Sequence, residues 1–354
     1  MTHTLIARAR EAAALLAPLA AVTEREGVER ATLDCLAEAG LHGVVGPESI
    51  TGSEPSGAVY REVAEVLAGA DGNTWFVWLQ HHAVVKMLAG SANTDLAGRW
   101  LPWLCAGTSQ AGVAYSHLRS SEVVISASRV DGGWRLSGTA PWCTGWGLLD
   151  VVLVGATTAD DEVVFAVVPM RQCDGMAPGP ALDLAAMGGT RTVTLHLDGY
   201  VVADADVVLQ APRATWAATD AAAGANVQPS TFGIARAALV ELDRRDGATA
   251  ESLSARLDDV RRRAYGLMDD VPAGDALDER LALRAEALLL GVEATSALVT
   301  SVGGRAMTGD HPAQRWAREA LFHLVFAQTK PGRLTTLARI AAASPGPEAE
   351  DRNG

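Results

Sequence analysis

The sequence carries no Walker-type phosphate loop, no G-x-S-x-G nucleophile elbow and no His/Cys spacing suited to zinc. It therefore lacks the signatures of P-loop nucleotide hydrolases, α/β-fold serine hydrolases and zinc enzymes. Cysteine is scarce: Cys35, Cys105, Cys143 and Cys173 lie far apart with no CxxC among them. That pattern reads as reduced, mostly buried thiols and excludes a disulfide framework. Positive charge is also in deficit, the formal net charge being -13. Such a balance argues against nonspecific binding to nucleic acid or to an anionic membrane. No apolar run approaches membrane-spanning length, and residues 1–16 show a helical period in place of a signal peptide's continuous apolar stretch. The expectation is a soluble cytoplasmic protein.

What is present is ample core material. The chain has 354 residues, 49% apolar and 20% charged, enough for two or three domains or one composite core. Its character changes twice. Up to residue 110 apolar positions recur every three or four residues, predicting helices over 5–21, 30–39, 56–70, 74–89 and 95–104. From about Gly112 the period becomes two, and GVAYSH, EVVISASRV, WRLSG, DVVLVGA, EVVFAVVP and RTVTLHLDG read as strands broken by Gly, Asp and Pro. Helix returns after Ala214, over 215–243, 252–268, 276–302, 312–328 and 333–343. The expected class is α+β: a helical domain (1–110), a block of antiparallel strands (111–212), a helical bundle (213–343) and a disordered polar tail (344–354). No internal repeat is visible.

One stretch stands out, DGGWRLSGTAPWCTGWGLLD at 131–150. Asp131, Gly132 and Gly133 form a turn signal, and the residues after it alternate as a half-buried strand does. Trp142, Thr144, Gly145 and Trp146 then crowd indole, hydroxyl and bare backbone into five positions. A flavin or nucleobase site needs an aromatic plane beside a hydrogen-bonding edge; the competing reading is a pair of core tryptophans. Asp160, Asp161 and Glu162 read as a hairpin turn and not a metal site.

With the order of elements, four segments give the chain a resemblance to the acyl-CoA dehydrogenase superfamily over roughly residues 5–343. They are LAEAGLHGVVGPESITG (36–52), WLPWLCAGTSQAGVAYSH (100–117), RVDGGWRLSGTAPWCTG (129–145) and SVGGRAMTGDHPAQRWAREA (301–320). The resemblance implies a helical N-terminal domain, a middle antiparallel β-barrel and a C-terminal four-helix bundle. FAD would lie between barrel and bundle in a homodimer or homotetramer. Trp142 would flank the flavin ring and the Thr144 hydroxyl would donate near N5, where negative charge develops. Ser116 would begin the flavin-contacting loop, although SHLRSSEV replaces the family's longer run and brings in Arg119. Gly145, Gly303 and Gly304 would allow close approach of the cofactor. The Arg-x-x-Phe-Gly run that holds the pyrophosphate is missing: Arg244 and Arg245 are present without Phe-Gly, and Arg261–Arg263 reads as a solvated helix face. Arg191, in the loop MGGTRT, could touch ligand or serve the loop alone.

Dehydrogenation of an acyl thioester needs a carboxylate to take the α-proton. The family's usual Glu, nine residues past Arg318, is replaced by Ala327 and followed by Gln328. The alternative Glu ahead of a GIARAAL-like run falls near Ala223. Asp220 is the nearest carboxylate and the candidate base. A second branch, flavin-dependent monooxygenases that use reduced FAD or FMN and oxygen, shares the DGNTW segment (71–75) in approximate form. It places a His eight residues past the second Arg; here that position is Phe326, with His323 one turn earlier. His81 and His82 lie on a helix expected to line the substrate pocket, and one of the two is expected to face it. Three functions therefore stand: an acyl-CoA dehydrogenase-type FAD oxidoreductase without the usual Glu, a monooxygenase, and a non-catalytic subunit of a heteromeric dehydrogenase with a paralogue as partner.

Overall fold

The computed structural model describes residues 2–343, so the polar tail at 344–354 lies outside the described residues. The N-terminal part is helical: α1 Thr2–Leu16, α2 Ala20–Glu26, α3 Arg30–Glu38, α4 Glu48–Thr51, α5 Gly57–Ala70, α6 Gly72–Ala89 and α7 Thr94–Ala106. Side-chain caps start three of them. Ser56 accepts from Val59 N, Asp71 from Asn73 N and Thr74 N, and Asn93 from Leu96 N. The single helix expected over 5–21 is broken by a 3₁₀ turn at Ala17–Leu19 that contains Pro18. Helix α6 is buried on nearly every side, which marks it as the central helix of this part.

Eight strands follow: β1 Ala111–Ala114, β2 Ile125–Val130, β3 Gly133–Cys143, β4 Val151–Thr158, β5 Glu162–Pro169, β6 Met176–Ala181, β7 Val193–Ala203 and β8 Val207–Pro212. They form one sheet in the order β6-β7-β3-β2-β4-β5-β8, with β1 also on β4. The expected antiparallel barrel is corrected to a mixed sheet. Both β1 and β2 run parallel to β4, pairing with Val151–Val154 and with Thr157–Thr158 respectively. They are two halves of one neighbour along the same edge of β4, split by the 3₁₀ turn Ser116–Arg119. No pairing joins β6 to β8 among the described residues. The hairpin at 131–133 is present, Val130 pairing with Gly133 and Gly132 at φ +68°.

The last part holds α8 Arg213–Ala225, α9 Pro229–Asp243, α10 Gly247–Asp270, α11 Leu277–Val302, α12 Pro312–His323 and α13 Lys330–Ala343. The helix expected over 215–243 is cut at 226–228. Pro229 opens α9, and the residues before it turn extended, Gln228 at ψ 130°. Residues 277–307 are long and apolar enough to cross a membrane by length and composition, which corrects the sequence reading on that point. This helix also carries Arg280 and Arg284, both buried, and packs on α9, α10, α12 and α13, so it serves as a core helix of the bundle. The bundle meets the N-terminal part where α5 crosses α9 at Gly69 and Gly233. A methyl group at Gly233 would lie 2.1 Å from the Glu65 carbonyl oxygen.

Candidate functional site

Helix α6 ties together the segments singled out in the sequence. Asp71 caps it with Oδ1 accepting from Asn73 N at 3.0 Å and Oδ2 accepting from the Thr74 hydroxyl at 2.8 Å. The Asn73 side chain accepts from Gly189 N at 2.9 Å and so fixes the loop before β7. Trp75 stacks on His323 at 5.5 Å and meets Phe326 edge-on at 5.8 Å. Val77 packs against Gly145, its Cγ1 3.5 Å from where a Cβ would stand.

Beside Asn73 and Val77 of α6, the segment after β3 is clamped to the segment before β7. Gly145 N donates to Thr190 O at 3.0 Å and Trp146 N to Arg191 O at 3.1 Å. Behind them runs a buried hydroxyl chain: Thr190 Oγ1 donates to Met187 O at 2.7 Å, Thr190 and Thr192 are 2.8 Å apart, and Thr192 and Thr144 are 3.0 Å apart. A carbonyl only accepts, so the Thr190 hydrogen is committed to Met187, Thr192 must donate to Thr190, and Thr144 to Thr192. Thr144 was expected to donate outward. Its hydrogen instead points into the protein. Trp142, by contrast, leaves 51% of its surface exposed at the end of β3. A half-exposed indole two residues before a buried threonine whose hydroxyl keeps unused lone pairs suits a flat ring with a polar edge. Gly145 sits at φ +83°, which a residue with a side chain rarely adopts. Arg191 is exposed with φ 49°, and its carbonyl serves the loop clamp.

On the bundle side of α6, beyond Trp75 and Phe326, both positions expected to carry a catalytic Glu come together. Helix α8 ends at 223–225, and the turn at 324–329 follows α12, which stops at His323 and not at 328. Ala327 there is left-handed, φ 49°. Arg284, 1% exposed on α11, staples the two: Nη1 donates to Gly224 O and Asn226 O at 3.1 and 2.8 Å, Nη2 to Phe326 O and Ala327 O at 2.8 and 3.4 Å. Burial lowers its pKa to about 10, with Arg119 a second cause. Its Nε and both polar atoms of the Gln328 amide are buried without partners. Such orphans are uncommon in a folded interior. Arg284 was not identified in the sequence, because nothing in an apolar helix pattern says which loops a guanidinium will reach.

The candidate acid–base residues are already engaged. Asp220 on α8 accepts from Arg119 through both oxygens, at 2.7 and 2.8 Å. Both of its oxygens are thus occupied by one guanidinium, a bidentate pair of fixed geometry. His323 lies 2.7 Å from both Glu319 O and Ser230 Oγ. Nδ1 must donate to the carbonyl, which leaves Nε2 to accept from the Ser230 hydroxyl. Burial lowers the His323 pKa to about 4, so the ring is neutral near pH 7. Beside it Glu319, fully buried, pairs with Arg315 at 2.9 Å, and burial raises its pKa to about 7.

The remaining candidates divide. His81 and His82 are both 1% exposed, so neither faces open space. His81 Nδ1 accepts from Ala111 N at 3.3 Å, and His42 joins the pair at 4.8 Å between ring centroids. Ser116 is exposed at the start of the turn after β1. Gly303 has φ +71° at the end of α11, and a Cβ on Gly303 or Gly304 would meet nothing within 4 Å. Close approach of the backbone to another group is therefore not built at either glycine within this chain. Arg244 and Arg245 both bind Glu241, Arg261 binds Glu65, and Arg262 and Arg263 bind Asp259. None of these arginines is reserved for a phosphate.

A helical N-terminal part, a mixed sheet and a helical bundle, in that order, define a fold class shared with known proteins. Residues 3–108 match the family model for the acyl-CoA dehydrogenase N-terminal domain. The 2-methylacyl-CoA dehydrogenase of Solanum tuberosum is 28% identical over 179 residues, 48% of this chain and 43% of that protein. The match thus spans less than half the length of that relative. Butyryl-CoA dehydrogenase from Megasphaera elsdenii superposes with a TM-score of 0.80 at 15% identity, covering 96% of this chain and 98% of its own. Dibenzothiophene monooxygenase from Paenibacillus sp. A11-2 does so with a TM-score of 0.79 at 19% identity, covering 97% and 98%. Together these likenesses support the acyl-CoA dehydrogenase superfamily: its N-terminal family model over residues 3–108 and its fold over nearly the whole chain.

Proposed function

We propose that this chain is a flavin-dependent oxidoreductase of the acyl-CoA dehydrogenase type, acting on the CH–CH group of an acyl thioester. Its sequence relatives support that reading, and one observation carries it: the half-exposed Trp142 indole at the start of a segment, Thr144–Trp146, that is clamped to 190–192. Bound FAD would supply the two-electron acceptor. Trp142 would stack on the ring, Thr144 would meet its edge, and Val77 would back Gly145 against water. On the bundle side Arg284 would hold the 224–226 and 326–327 segments as the floor of the substrate site. With Ala223 and Ala327 unable to take a proton, Asp220 would serve as base only after exchanging Arg119 for solvent or substrate. Slow α-proton removal is the consequence. A homodimer or homotetramer in the cytoplasm belongs to the same proposal; Val325 in the turn after α12 and Leu334 and Leu337 on α13 are each more than half exposed and suit a covered face.

The test is an anaerobic titration of the FAD-loaded protein with straight and branched short-chain acyl-CoA. Bleaching of the flavin's visible absorption is expected. Folded protein that takes up no flavin, or whose flavin no thioester bleaches, would sink the reading. The two alanines at the base positions favour a second reading, monooxygenation, which needs no α-proton acceptor. Substrate-dependent oxygen uptake by protein loaded with reduced FAD or FMN, with oxygen appearing in the product, would select it.

A further inference from the structure

The polarity of the hydroxyl chain behind the ring-facing segment decides what Thr144 can do. The chain has one fixed end, the Met187 carbonyl, 2.7 Å from Thr190 Oγ1. If Thr190 turned its hydrogen to Thr192, two oxygen lone pairs would face each other across that distance, a repulsive arrangement in a site where Thr190 is fully buried. The forward direction is therefore enforced. Thr192 accepts from Thr144 and donates to Thr190, and both its roles are used. Thr144 has spent its only hydrogen inward at 3.0 Å and has no other partner among the described residues. The two backbone amides that follow are already used, Gly145 N by Thr190 O and Trp146 N by Arg191 O. The Thr144 hydroxyl, in a residue only 5% exposed, is left with lone pairs and no free hydrogen.

We propose that the Thr144–Thr192–Thr190–Met187 chain makes Thr144 a hydrogen-bond acceptor toward the flavin, so that this protein binds the two-electron-reduced ring in preference to the oxidised one. The proposal rests on the reading that Trp142 and Thr144 face the flavin. The chemistry is that of the ring's N5, which bears a hydrogen in the reduced state and only a lone pair in the oxidised state. Thr144 can accept from the first and opposes the second, lone pair against lone pair. Within that reading, Thr144, Thr190 and Thr192 set which redox state is held. Thr144 touches the ring, whereas Thr192 and Thr190 act through it as positioning residues.

The experiment compares dissociation constants of oxidised FAD and of chemically reduced FAD, measured anaerobically on the whole protein, together with the midpoint potential of the bound flavin. The wild type is expected to bind the reduced form at least about tenfold more tightly than the oxidised form, one charge-free hydrogen bond gained against one repulsion. Thr192→Val cuts the chain and frees the Thr144 hydrogen to turn outward. Thr190→Val frees Thr192 to reverse, with the same result. Either should bring the preference below about threefold and lower the midpoint potential, by about 30 mV for each tenfold lost. Thr190→Ser keeps the hydroxyl and should keep the preference, which separates chain polarity from damage to packing. Equal binding of both states by the wild type, or an undiminished preference in folded Thr190→Val and Thr192→Val, would overturn the proposal. Failure to bind flavin in either state would instead overturn the flavin reading beneath it.

Discussion

At the scale of single residues, the region around α6 is governed by where hydrogens and charges are allowed to sit. Glu319 shows this most directly. Its carboxyl is fully buried between Arg315, Asp71 and the close backbone of Gly72, and Oε2 has no partner. Burial raises its pKa to about 7 from an ordinary 4.5, against the opposing pull of Arg315. Between those two values the folded chain keeps a proton that the unfolded chain has released. Stability contributed by the neutral carboxyl is therefore lost as pH rises through that window. Glu319→Gln, which cannot ionise, should gain on the wild type between pH 5 and pH 8. The expected gain is on the order of 2–3 kcal/mol, because each tenfold change in proton affinity is worth about 1.4 kcal/mol. Denaturant melts of both proteins at the two pH values check it. A difference between the variants that does not change with pH would mean that Arg315 holds Glu319 ionised throughout.

At the scale of elements, strongly patterned segments were legible and weakly patterned ones were not. The central strands β3, β4, β5 and β7 alternate or run continuously apolar, and the sequence reading places strands on all of them. The two ends of the sheet, β6 and β8, escaped it. MAPGPA carries two prolines in six positions, which suits an edge strand and no other. Parallel pairing of β1 and β2 with β4 could not be read either, since alternation says which face a residue takes and nothing about the direction of its neighbour. The cut between α8 and α9 had a signal in Pro229, overridden by the alanine-rich periodicity around it. Where backbones touch, size decides more than pattern. Gly233 lets α9 lie against the Glu65 carbonyl of α5, with no room for a methyl group. Gly233→Ala should cost about 2 kcal/mol or more by forcing the two helices apart. The matched control is Gly266→Ala in α10, where nothing lies within 4 Å. That change should stabilise by about 0.5–1 kcal/mol through helix propensity. Opposite shifts in thermal midpoint are expected; equal ones would mean that the α5–α9 crossing can relax.

At the scale of the whole molecule, the chain buries several histidines that nearby sequence could not assign. His81 and His82 were expected to supply a side chain to a substrate pocket. They are instead joined inside the N-terminal part by His42, 39 positions before His81, and only the packed fold brings the three rings together. Burial lowers the pKa of His42 and His323 to about 4 and those of His81 and His82 well below 6.5. All four are therefore neutral in the fold and must gain protons as it opens in acid. Their contribution is fully present above about pH 6.5 and is lost as pH falls toward 4. Glu319 and Asp71 work against this, because burial raises both and the fold then takes up protons as pH falls. His117 is buried and lowered in the same way, so five histidines against these two carboxyls leave a net loss of stability below pH 6. His82 is the member to change. Both its ring nitrogens lack partners, and it packs edge-on against Trp78 at 4.1 Å and Tyr60 at 5.3 Å. His82→Phe keeps an aromatic ring of similar size and removes an unsatisfied buried polar group, so stability at pH 7 should hold or rise. The acid slope should flatten by up to about 1.4 kcal/mol for each step of one in pH, the weight of one proton. An unchanged slope between pH 6.5 and pH 5 would place the acid-sensitive groups elsewhere and leave this cluster a matter of packing alone.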